Sequence, residues 1–243
     1  MPSIYSRNYW RIGFQSRLYD LLTPEAYTDS LRRGVECVPA GTGKLWLDAG
    51  CGSGALIECL RNRLEGGDRY VGIDQLLPGL IAARRKANTL DVSDRVRLLQ
   101  SDLAQPLPFR PGIADVIAAH FSLYTIEPDR REHILGQFRT LLRPGGTLVL
   151  VEPSPDYSAR RIIEESILQV GKREGFFKAG IKKWFVYPLT YRFGLKFIEL
   201  QLKRGIWRAS TKDELREETE RAGFQIKRIE PVYAGSAHRV AAQ

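Results

Sequence analysis

The chain has 243 residues, 43% hydrophobic and 27% charged, with a formal net charge of +9. That length suits one large α/β domain with appendages and a core that needs no staples. The composition argues against a membrane span of roughly 20 apolar residues, an N-terminal signal peptide, and a disulfide framework or zinc cluster built from Cys37, Cys51 and Cys59, so the expected address is the cytoplasm and the positive balance points to an anionic partner.

Helices are predicted over residues 5–20 and 23–38. Tyr9, Trp10, Phe14 and Leu18 approximate a helical stripe, and Thr23-Pro24-Glu25 is a helix start. After Gly41-Thr42-Gly43 the pattern alternates: strand 45–49, helix 53–63, strand 70–73, helix 78–90 and strands 96–99 and 115–119. Helix 127–142 follows and stops at Arg143-Pro144-Gly145-Gly146, before strand 147–151. A last helix, 211–222, has Ser210 or Thr211 as its cap and Gly223 as its stop. Strands 224–229 and 233–240 are close enough in sequence to pair antiparallel. Such alternation predicts an α/β fold: a mainly parallel seven-stranded sheet with helices on both faces. Residues 1–40 form an N-terminal helical cap, and 41–153 with 210–243 form the main domain.

Residues 154–210 break the rhythm, being far longer than an αβ connection of roughly 2–6 residues. They read as a helical insertion before the last helix, divided by Pro188 and Gly194. The segment holds 12 Lys/Arg against 5 Asp/Glu and 10 of the 24 aromatic residues.

The most informative stretch is Leu45-Trp46-Leu47-Asp48-Ala49-Gly50-Cys51-Gly52-Ser53-Gly54. A hydrophobic strand runs into Gly50, Gly52 and Gly54 and then a helix, so a ligand can lie against bare backbone beyond the carboxyl ends of the strands. Asp74 ends the second strand, where an acid hydrogen-bonds ribose hydroxyls. Gly50 to Ala55 also satisfies the dinucleotide pattern GxGxx(G/A). Against that reading, Asp48 would repel a pyrophosphate but suit an ammonium group, and the loop lies behind two helices. In addition, Ser101-Asp102-Leu103 follows the third strand, where an acid can meet an adenine amino group.

These residues resemble class I S-adenosylmethionine (SAM)-dependent methyltransferases. LDAGCGSG is followed in order by VGID at 71–74, SDL at 101–103, Pro106-Leu107-Pro108-Phe109, Asp115-Val116-Ile117, the segment from Leu141 to Leu148, and Ala222-Gly223-Phe224. The resemblance covers roughly 40–152 and 210–241. It implies a Rossmann-like domain that binds SAM through Asp48, Gly50, Cys51, Gly52, Gly54, Asp74, Gln75, Ser101, Asp102, Leu103 and His120, with S-adenosylhomocysteine as product. Tyr19-Asp20-Leu21, Phe121-Ser122-Leu123 and residues 235–238 are similar to the ubiquinone/menaquinone biosynthesis methyltransferases. That family has Arg-Asn where Tyr124-Thr125 stands here, and a less basic insertion.

Methyl transfer asks mainly for proximity and orientation, with a base where the acceptor must lose a proton. No metal is expected. The resemblance puts His120 between the methionine end of SAM and the acceptor, which makes it the candidate base; the alternative is a packing histidine. Tyr124 is the candidate acceptor-pocket residue, or a cap on the turn after the fourth strand. Glu152 orients an acceptor or pairs with the basic insertion. Tyr5, Tyr9, Trp10 and Phe14 form a lid or plain core. His133 reads as solvated, and His238 as a remote candidate.

The expected function is methylation of a small lipophilic or aromatic acceptor, such as a quinone precursor or a lipid. The alternatives are a nucleic-acid methyltransferase and a SAM-binding protein without methyl transfer. Ala119-His120-Phe121-Ser122 lacks the (Asp/Asn)-Pro-Pro-aromatic tetrapeptide of amino-group nucleic-acid methylases, so nucleic acid is the weaker partner. Residues 176–204, with aromatics among Lys and Arg, suit peripheral contact with an anionic membrane.

Overall fold

The structure is a computed structural model that describes residues 20–243. The first predicted helix, with the lid candidates Tyr5, Tyr9, Trp10 and Phe14, therefore lies outside the described residues. The sheet has seven strands: β1 Leu45–Ala49, β2 Arg69–Asp74, β3 Val96–Gln100, β4 Ala114–His120, β5 Leu142–Pro153, β6 Ile226–Val232 and β7 Ala237–Ala242. Their order is β3-β2-β1-β4-β5-β7-β6, all parallel except β7, which runs antiparallel to both β5 and β6.

Side-chain alternation along the central strands divides the core in two. Leu47, Ala49, Ile117, Ala119, Leu148 and Leu150 face one way, onto Ile134, Leu135 and Phe138 of helix Pro128–Leu141 and Leu215 of helix Lys212–Arg221. Trp46, Val116, Ala118 and Val149 face the other way, onto Leu31 and Val35 of helix Glu25–Glu36 and Leu80 and Ala83 of helix Leu77–Thr89. The last helix is capped by Thr211: its hydroxyl accepts from Glu214 N at 3.2 Å while Glu214 accepts from Thr211 N at 2.7 Å.

Three local differences from the sequence-based elements have physical reasons. The helix after the glycine loop splits into Ala55–Cys59 and Arg61–Glu65, because Leu60 sits at ψ 0°. β5 begins at Leu142 rather than at 147. Leu142 pairs with Ala114 and Thr147 with Val116, so Arg143 to Gly146 bulge out between two paired stretches. Pro188 and Gly194 do not cut the insertion into separate helices. Pro188 lies in the short α-helical piece Tyr187–Leu189 between two wide π turns, Lys182–Val186 and Thr190–Leu195, and Gly194 lies in the second, all within a helical run from Phe176–Ile181 to Lys196–Lys203.

The insertion packs where the site lies. Tyr157 and Ile162, with Leu195, meet Ala26, Val151 and Tyr233 at the carboxyl end of β5. Among the described residues, no helix is long and apolar enough to cross a membrane.

Candidate active site

The site forms where β1, β2, β3 and β4 end. Gly50 and Cys51 both donate to Ile73 O, at 2.8 and 3.0 Å, which folds the chain leaving β1 over the end of β2. Glycine is required there: Gly50 has φ +80°, and an added Cβ would lie 2.5 Å from Ser122 Cβ. Burial pushes the Cys51 thiol well above its ordinary range, so it fills space rather than attacks.

Asp74 holds this loop in place. Its Oδ2 accepts from Gly52 N at 2.9 Å and its Oδ1 from Leu76 N at 2.8 Å. Burial pushes its carboxyl up, while the N–H groups of Leu76, Gly52 and Gln75 hold it back. With three N–H donors on its roughly four lone-pair sites, the carboxylate keeps one for a ligand. At the end of β3, Ser101 N donates to Asp74 O at 3.0 Å and Asp102 Oδ1 accepts from Ala104 N at 3.0 Å.

One cleft gathers most of the residues the sequence singled out: Gly50, Cys51, Gly52, Asp74, Gln75, Ser101, Asp102, Leu103, His120 and Tyr124 all line it. Two do not. Asp48 faces the Trp46 side of the sheet, 4% exposed, and accepts a 2.6 Å hydrogen bond from Tyr70 Oη. Burial pushes its carboxyl up to about 7, against the pull of the Tyr70 hydrogen bond. Gly54 lies beneath the loop, where an added Cβ would come 2.9 Å from Ala83 Cβ, and serves the packing of helix Leu77–Thr89.

His120 ends β4 and lines the cleft, 8% exposed. The Ser30 hydroxyl donates to Tyr27 O at 2.7 Å, so its oxygen accepts from His120 Nε2–H at 2.8 Å. That assigns the tautomer and leaves Nδ1 as a buried acceptor with no partner. Burial, with help from Arg239, pushes His120 down to about 3. The imidazole is therefore neutral at physiological pH and a weak base. Tyr27 packs edge-on against it at 4.7 Å, and Phe121 at 4.8 Å. Phe121 is held at φ +52°, a strained conformation for a bulky residue.

Tyr124 is 3% exposed and stands edge-on to Trp207 at 5.3 Å. It also lines a second cavity of about 690 Å³, against about 170 Å³ for the cleft. The two share Tyr124, Thr125, Ile126 and Glu127, and the larger one is closed by Tyr157, Leu202, Lys203 and Trp207 of the insertion.

Glu152 lines neither cavity. It pairs with Arg131 at 2.9 Å, a residue of helix Pro128–Leu141 rather than of the basic insertion, and accepts from Leu123 N at 3.1 Å. Arg131, 0% exposed, also forks onto Glu218 with two bonds of 2.7 Å. Burial pushes Glu152 up against the pull of Arg131 and Leu123 N–H. His133 is exposed, and His238 sits on β7 outside both cavities. Sequence reasoning missed Tyr27 and Ser30. Ser30 next to Leu31 on the apolar face of a predicted helix was the available signal.

Comparison with known proteins agrees with this geometry. Residues 47–146 match a family described as a methyltransferase domain. A carboxy-S-adenosyl-L-methionine synthase of Pseudomonas putida is 31% identical over 144 residues, which cover 56% of this chain and 57% of the relative. A demethylmenaquinone methyltransferase of Thermus thermophilus is 36% identical over 124 residues, or 51% of this chain and 54% of that one. The chain thus spans a little over half the length of these two curated relatives. Among solved structures, a SAM-dependent methyltransferase from Aquifex aeolicus superposes with a TM-score of 0.62 at 17% identity, covering 94% of this chain and 97% of that one, a likeness of fold.

Proposed function

Since the chain carries a methyltransferase domain of the class I SAM-dependent superfamily, we propose that it moves a methyl group from SAM to a small lipophilic or aromatic acceptor, with S-adenosylhomocysteine as product. The observation that carries this reading is the junction at Tyr124, where the glycine-loop cleft meets a roomier, aromatic-walled cavity. The cleft suits SAM on its own chemistry: bare backbone at Gly50, a remaining carboxylate lone pair on Asp74, and Asp102 with Leu103 at the end of β3. Bound there, SAM supplies a methyl group already activated by its sulfonium.

The chain's own residues then orient and exclude water. Tyr27, Phe121 and Tyr124 form an aromatic wall around His120. The unpartnered Nδ1 of His120 accepts a hydrogen bond from an acceptor hydroxyl and aims its oxygen. The named activity of the Thermus relative, on demethylmenaquinone, is in keeping with an acceptor of this kind.

A second reading, SAM binding without methyl transfer, draws on the carboxy-S-adenosyl-L-methionine synthase relative, whose name is not that of a methyltransferase. One experiment separates the two. Purified protein is incubated with methyl-labelled SAM, a panel of phenols, catechols and quinols, and total RNA, and the products are identified by mass spectrometry. Methyl transfer gives S-adenosylhomocysteine and a labelled acceptor; SAM that binds by calorimetry yet is recovered intact across the whole panel would establish the second reading; labelled RNA in place of the small acceptors would overturn the first.

His120 carries its own prediction. Its folded pKa of about 3 lies below the ordinary 6.5, so the unfolded chain takes up a proton at this side chain first as pH falls. The stability tied to neutral His120 is complete above 6.5 and drains away as pH drops from there toward 3. His120→Gln should flatten the fall of melting temperature across that window. In turnover, His120→Ala should lower the rate about tenfold without moving any inflection between pH 5 and 8. A rate profile whose break near 6.5 vanishes in the variant would make His120 an ordinary titrating base instead.

A further inference from the structure

The insertion presents a surface that the methyltransferase reading leaves unused. Phe176, Phe177, Trp184, Phe185 and Phe193 are 91, 82, 72, 72 and 62% exposed. Ile181 and Leu189, 45 and 44% exposed, lie among them. Exposed apolar side chains occur singly on any soluble protein, but a run of large rings within one helical segment marks a contact surface.

Charge says what it contacts. Between Glu174 and Glu199 the sequence contains no acid, while Lys178, Lys182, Lys183, Arg192 and Lys196 fall in that interval. Lys183 Nζ lies 5.6 Å from the Trp184 ring and the Arg192 guanidinium 5.9 Å from the Phe193 ring. Among the described residues, neither cation has a carboxylate partner. The other three differ: Lys182 turns inward to Glu25, Lys178 pairs with Glu174 and Lys196 with Glu199, so Lys183 and Arg192 carry the charge of this surface.

A protein interface depletes lysine from its apolar centre. A nucleic acid would use the rings and cations but gain nothing from Ile181 and Leu189. The boundary of a bilayer takes all three kinds of group at once, with rings at headgroup depth, aliphatic chains below and cations at anionic headgroups. We infer that residues 176–193 dock the protein onto the surface of an anionic membrane. The inference does not rest on methyl transfer: it concerns a different surface and has a separate readout.

The test is co-sedimentation of the full chain with vesicles of phosphatidylcholine, alone or with about a third phosphatidylglycerol. Binding to the anionic vesicles alone is expected at low salt, with release as salt is raised to about 0.5 M. Trp184 emission should shift to the blue on binding, and Trp184→Phe should lose that shift. Lys183→Gln with Arg192→Gln should weaken binding about thirtyfold, and Phe176→Ser with Phe177→Ser at least tenfold, with unchanged melting temperatures. Lys182 is spared because its loss disturbs the fold at Glu25. Equal sedimentation with both vesicle types would overturn the inference. So would a concentration-dependent dimer, or a complex with a synthetic RNA, that buries Trp184 and excludes vesicles. SAM affinity, measured on the same samples by calorimetry, tells failure of this surface from failure of the catalytic reading.

Discussion

Arg131→Met should destabilise the protein by about 3–5 kcal/mol, the cost of leaving buried carboxylates without their cation. For a chain of this size that is a fall in melting temperature of roughly 10 °C. The guanidinium is 0% exposed and holds Glu218 on the last helix and Glu152 on β5. Glu152 in turn takes the Leu123 N–H, in the turn between Ser122 and Tyr124 that lines the cleft. The variant should therefore lose turnover beyond what its residual folding explains. Adding Glu152→Gln and Glu218→Gln to Arg131→Met should recover part of the stability, because the uncompensated charges are gone. A melting temperature within a degree or two of the parent, measured by calorimetry, would show that water or neighbouring groups already screen the trio.

Asp74→Ala should weaken SAM and S-adenosylhomocysteine together, by about a hundredfold. Two losses act at once. The ligand forfeits hydrogen bonds to a charged oxygen, and the N–H groups of Gly52 and Leu76 lose the acceptor that fixes the loop. Asp74→Asn should do little better, since its NH₂ would face one of those two N–H donors. Titration calorimetry on folded variants reads both effects. Unchanged affinity would remove Asp74 from the ligand's surroundings, and tighter binding of NAD than of SAM would restore the dinucleotide reading.

The parallel core was legible because each central strand is a short apolar run, and the glycine loop needs backbone freedom that other residues lack. Side-chain direction was less legible. Asp48 precedes Gly50 by two residues, yet alternation along β1 turns it toward Trp46 and Tyr70. Tyr27 and Ser30 reach His120 from a helix far away in sequence, a meeting that only tertiary packing creates. Arg131 was readable in hindsight: it stands at helical spacing from Ile134, Leu135 and Phe138, on the buried face, and a charge there demands a buried counter-charge. The π turns were not readable, because a turn that widens by one residue leaves the run helical and carries no residue signature of its own.

The placement of β7 sets the order in which the sheet can close. It fills the slot between β5 and β6, although β6 and the whole insertion come before it in the chain. Contacts of such long sequence separation form late. Until β7 arrives, β5 shows an open edge of Leu148, Val149, Leu150 and Val151, which a strand from another chain can occupy. In the finished sheet that edge is covered, and the outer strand on the same side, β6, carries Lys227, Arg228, Glu230 and Pro231, which oppose further strand addition. A chain in which β5 has formed and β7 has not docked therefore exposes an apolar edge that the finished sheet hides.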